Sequence, residues 1–106
     1  MTEADDIRRS EEEMRRLYSV AFERLSSILL IEDPVGINLV ENIDEYAPEV
    51  GTILPRLRDC RSEDDVRRVV HEEFAKWFGT STAGPTEKYQ AVAKRVWQEV
   101  VPVLTK

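Results

Sequence analysis

Residues 62–79 read SEDDVRRVVHEEFAKWFG, and this stretch decides the fold. Val66, Val69, Val70, Phe74, Trp77 and Phe78 recur at spacings of three and four, which gathers them on one face of a helix turning every 3.6 residues. Ser62 offers a hydroxyl to cap the first turn, and Glu63, Asp64 and Asp65 sit where the helix dipole is positive. Gly79 supplies the stop, because it can adopt the left-handed backbone that ends a helix. The aromatic end of this stripe, Trp77 and Phe78, is expected in the core together with Trp97.

Upstream, Met14, Leu17, Tyr18, Ala21, Phe22, Leu25, Ile28 and Leu29 repeat the same spacing and predict a long first helix. Ser10 with Glu13 forms a capping box at its start, while residues 1–9 are polar and expected to fray. Asp33-Pro34 ends that helix, since the residue before a proline is pushed out of helical angles. Residues 33–46 then read as a loop or short helical turns containing Gly36. Pro48 suits the first turn of a second helix carrying Val50, Ile53, Leu54 and Leu57, which Pro55 should kink or split near Leu54. Downstream, residues 80–85 are small and polar. Thr86 is placed to cap a last helix bearing Tyr89, Val92, Ala93, Val96, Trp97 and Val100, and Pro102 ends or kinks it. No strand alternation competes. The expected fold is all-α, a compact three- to four-helix bundle forming a single domain over residues 1–106, with an acidic loop between the first and second helices.

Charge is the second signal. The 106 residues include 34% charged and 42% hydrophobic side chains, a globular composition with rich polar faces. The formal net charge is −6 from 21 acids and 15 bases. Residues 32–55 hold six of those acids, Glu32, Asp33, Glu41, Asp44, Glu45 and Glu49, and no base, so the imbalance belongs to this one segment. A surplus of acid disfavours nucleic acid as a partner. No apolar run reaches the roughly 20 residues of a membrane span, and no signal peptide opens the chain, which leaves the cytoplasm as the expected compartment and no membrane partner.

Chemistry is sparsely signalled. His71-Glu72 begins like a zinc-protease motif, but Ala75 stands where the second ligand is needed and the chain has one histidine, so His71 is expected on the solvated side of its helix. Cys60 is the sole cysteine, which excludes an internal disulfide and a thiolate cluster and reads as a small packing residue. The glycines are isolated and form no phosphate-binding loop, and Val35, Ile37 and Leu39 occupy positions that a calcium loop fills with oxygen ligands. No cofactor and no metal are expected. Two readings of the acidic segment compete: a loop neutralised by Arg8, Arg9, Arg56 or Arg58, and a docking surface for a basic protein. The docking reading uses Asp33, Glu41, Asp44, Glu45, Tyr46 and Glu49.

Asp33-Pro34-Val35-Gly36-Ile37, Asp44-Glu45-Tyr46, Ile53 and Leu57, with Trp77-Phe78-Gly79, resemble the YugE-like domain, a bacterial family of helical domains without an assigned activity. The resemblance spans residues 17–100. Glu32 stands where that family's pattern has an aromatic residue, and Ala47-Pro48 where it has another acid. It implies an all-helical fold and no assigned activity; on physical grounds Asp33 is expected to cap a turn begun by Pro34, Gly36 to take a positive φ and Tyr46 to anchor the loop by burying its ring. The leading expectation for function is therefore a non-enzymatic interaction module, of which an immunity or antitoxin protein is one form. An alternative is a small enzyme using Asp44, Glu45 and Tyr46, and a third option is a homo-oligomer formed through Leu30 and Ile31.

Overall fold

The computed structural model describes residues 12–34 and 46–104. Of these, 84% are helical and none is in a strand. Residues 12–17 form a helical segment leading into α1 (Ser19–Glu32); α2 spans Ala47–Leu57 and α3 Glu63–Phe78. A single turn, α4 (Thr80–Ala83), and a 3-10 turn at Thr86–Tyr89 lead into α5 (Gln90–Glu99), and α6 (Val101–Leu104) follows.

The expected stripes are the ones buried. Phe22, Leu25 and Leu29 of α1, Val50, Ile53, Leu54 and Leu57 of α2, Val66, Val70 and Phe74 of α3, and Val96 and Val100 form one core. Each of α1 and α3 packs against both α2 and α5, so four apolar faces close on one another. The radius of gyration is 12.8 Å, close to the roughly 13 Å of a compact chain of this size. No helix among the described residues is long and apolar enough to cross a membrane.

Local chemistry explains most of the ends. The Ser62 hydroxyl accepts the Asp65 N–H at 3.1 Å, and the Asp65 carboxylate accepts the Arg61 N–H at 2.9 Å, so two open donors at the start of α3 are satisfied reciprocally. Those bonds hold the Asp65 carboxyl below its ordinary pKa, the Arg61 N–H contributing most. Gly79, at φ 85°, stops α3. Asp33, at φ 46° and ψ 60°, ends α1 in the left-handed region just before Pro34.

Several expectations are corrected. The first helix is interrupted at Tyr18 (φ −130°, ψ 51°), although Tyr18 N–H still bonds Met14 O and Phe22 N–H bonds Tyr18 O, which keeps the chain on a helical path. Leu17 leaves the buried stripe and is 53% exposed. The second helix runs through Pro55 to Leu57 without splitting, because Pro55 is exposed and falls in the last turn, where a missing donor disturbs few bonds. Thr86 opens a 3-10 turn and not α5, whose start carries no side-chain cap. Pro102 has its expected effect slightly upstream: the helical run breaks at Val100 (φ −105°), between α5 and α6. Trp77 is only partly buried and stands outside the core cluster, whereas Phe78 and Trp97 pack against that core from its edge. The Ser10 cap, the frayed 1–9 start and Gly36 lie outside the described residues.

Candidate functional site

The two ends of the acidic segment are clasped together. Tyr46, which turns the chain into α2, is 1% exposed, with its ring 5.7 Å from that of Phe74. Its hydroxyl donates to Asp33 Oδ1 at 2.6 Å, a short charge-assisted bond across thirteen residues of sequence. Asp33 thus receives Tyr46 with its side chain while its backbone ends α1. Tyr46 thus buries its ring at the end of the segment. Glu49, in the first turn of α2, is 5% exposed, and a carboxylate there interacts favourably with the helix dipole. Of the six expected docking residues, then, Tyr46 and Glu49 are buried and Asp33 is half-buried, while Glu41, Asp44 and Glu45 lie outside the described residues.

Two of the four bases expected to neutralise this segment, Arg56 and Arg58, have partners elsewhere. Arg56 leaves α2 toward α3, where its guanidinium meets Glu72 Oε1 at 2.6 Å and Glu73 Oε2 at 2.8 Å. Glu73 is 5% exposed, so its charge is held by this fork and by Lys76 at 3.2 Å. The Arg56–Glu72 hydrogen bond raises the Arg56 pKa and lowers that of Glu72. Arg58 lies with its guanidinium 5.9 Å from the Tyr18 ring centroid, a cation–π distance. Arg8 and Arg9 lie outside the described residues. Among the described residues, a base the sequence did not single out reaches the start of the segment: Arg95 of α5 contacts Glu32 at 3.7 Å and Glu99 at 3.2 Å.

His71 is not on a solvated face. Its Nε2 lies 2.9 Å from the Gly84 carbonyl, which can only accept, so Nε2 carries a proton and donates. Its Nδ1 lies 3.2 Å from the Thr86 hydroxyl, and the ring sits 5.5 Å from that of Tyr89. Beside it the buried Tyr89 hydroxyl donates to Ala83 O at 2.6 Å, and burial pushes its pKa up to about 12. These two side chains fasten residues 80–89 onto α3. The imidazole is therefore a tie between segments, and both nitrogens already have partners. Trp77 makes a similar tie on the other side, donating its indole N–H to Thr52 Oγ1 at 2.9 Å.

Cys60 lines a small cavity of about 150 Å³ with Arg56, Asp59, Arg68 and Val69. Burial, then the charge of Asp65, pushes its thiol pKa up, which keeps it in the poorly nucleophilic neutral form. A shallower groove of about 630 Å³ runs along Glu63, Glu87, Lys88, Gln90, Ala91 and Lys94. No group of three metal-ligating side chains occurs among the described residues. No protein-family model matches the chain, and neither a curated protein nor a solved structure matches it.

Proposed function

We propose that this chain is a non-enzymatic protein interaction module whose acidic segment, residues 32–49, docks a basic protein partner. In this reading the four longer helices form a bundle and the segment is an acidic loop between the first two. Glu41, Asp44 and Glu45 supply the attracting charge. Asp33 and Tyr46 fix where the segment leaves and re-enters the helices, and Glu49 anchors its return. An immunity or antitoxin protein, which covers a basic toxin, is one form such a module takes, and a member of the YugE-like family is compatible with it.

The observation that carries the reading is where Arg56 and Arg58 go. These are the first bases after the acidic run, and both are engaged away from it, by Glu72 and Glu73 and by Tyr18. Charge left uncompensated projects a field that steers an oppositely charged partner. The Tyr46 hydroxyl, held by Asp33 beneath the surface, favours a positioning role over catalysis with Asp44 and Glu45.

The test is to capture a partner on the immobilised chain and measure its association with the wild type and with Asp44→Lys/Glu45→Lys. The double variant should slow association about tenfold at low salt and much less at high salt, with dissociation little changed. An unchanged on-rate in a variant of unaltered helical content discards the docking surface.

A further inference from the structure

We draw no further inference here: the strongest candidate, the apolar surface patch that Leu17, Val20 and Ile31 leave exposed on the outer side of α1 and the helical segment before it, carries nothing because nothing in the structure shows what covers it.

Discussion

Helices α1 and α3 are similar in length, 14 and 16 residues, and divide their residues in opposite ways. In α3 the apolar stripe is hidden, and much of the polar remainder is paired: Arg67 with Asp64, Arg68 with Asp65 and Glu72, Lys76 with Glu73. In α1 the core face is equally well hidden, yet the outer face still carries Val20 and Ile31. An α-helix that is apolar on one stripe is satisfied by one contact; a helix apolar on two sides has surface left over. The pair teaches that a core can be complete while one of its helices keeps apolar surface outside it.

The sharpest way to break that contrast is inside α3 itself. Phe74 is 0% exposed and in ring contact with Tyr46, Phe78 and Tyr89. Phe74→Ala should cost about 3 to 5 kcal/mol, as for other large-to-small changes in a closed core. Trp77→Ala, three residues on, should cost less, about 2 kcal/mol, because it loses one hydrogen bond and a ring that is only partly buried. Urea denaturation of the two variants measures the difference. Equal losses would show that Trp77 belongs to the core after all.

Arg56→Ala tests whether α3 depends on its neighbour for charge as well as for packing. It strands Glu73, nearly buried, with only the exposed Lys76 for company. The expected loss is about 2 to 3 kcal/mol, at or just below the roughly 3 to 5 kcal/mol for breaking a fully buried ion pair, because Lys76 remains beside Glu73. Arg56→Ala/Glu73→Leu should recover most of it, since the penalty lies in the orphaned carboxylate.

How far the sequence carried this reading follows from the distance over which each interaction acts. The Ser62 cap, the Gly79 stop and the end of α1 at Asp33-Pro34 are set by neighbours within a few residues and were legible as patterns. The positions of Leu17 and Trp77 were not, because periodicity places an apolar residue on a face without saying where the covering helices end. His71 was misassigned, and the partners of Arg56 were not legible, for a related reason. Their partners are 13 to 17 residues away, Gly84 and Thr86 for one and Glu72 and Glu73 for the other, and no local spacing encodes them. At the candidate site, the acidic bias was readable from counting, whereas the clasp of Tyr46 on Asp33 and the role of Arg95 required the fold.

His71→Phe isolates one such long-range tie. The ring is conserved in size and both hydrogen bonds are lost, so the cost should be about 1 kcal/mol. Amide exchange should quicken in residues 80–86 before it changes elsewhere in α3. Exchange that quickens uniformly would mean that His71 supports the whole helix and does not act as a local fastening.

The smallest effect is the response to acid, and its sign follows from Glu72 and Asp65. Both carboxyls have pKa values lowered in the folded chain, Glu72 chiefly by the Arg56 hydrogen bond and Asp65 chiefly by the Arg61 N–H. A carboxyl that holds its proton less tightly when folded contributes stability above its unfolded pKa of about 4 and loses it as pH falls through the lower folded value. The stability of the chain should therefore be level near neutral pH and decline below about pH 4. Glu72 is 42% exposed, so solvent screening keeps its share small. Arg56→Ala removes the main cause of the Glu72 shift, and its acid limb should be shallower than that of the wild type, whereas Arg58→Ala should leave the limb unchanged because Arg58 faces Tyr18. Chemical denaturation at a series of pH values resolves the two slopes. Identical acid limbs in the wild type and Arg56→Ala would show that the Arg56 fork holds α3 to α2 by geometry alone.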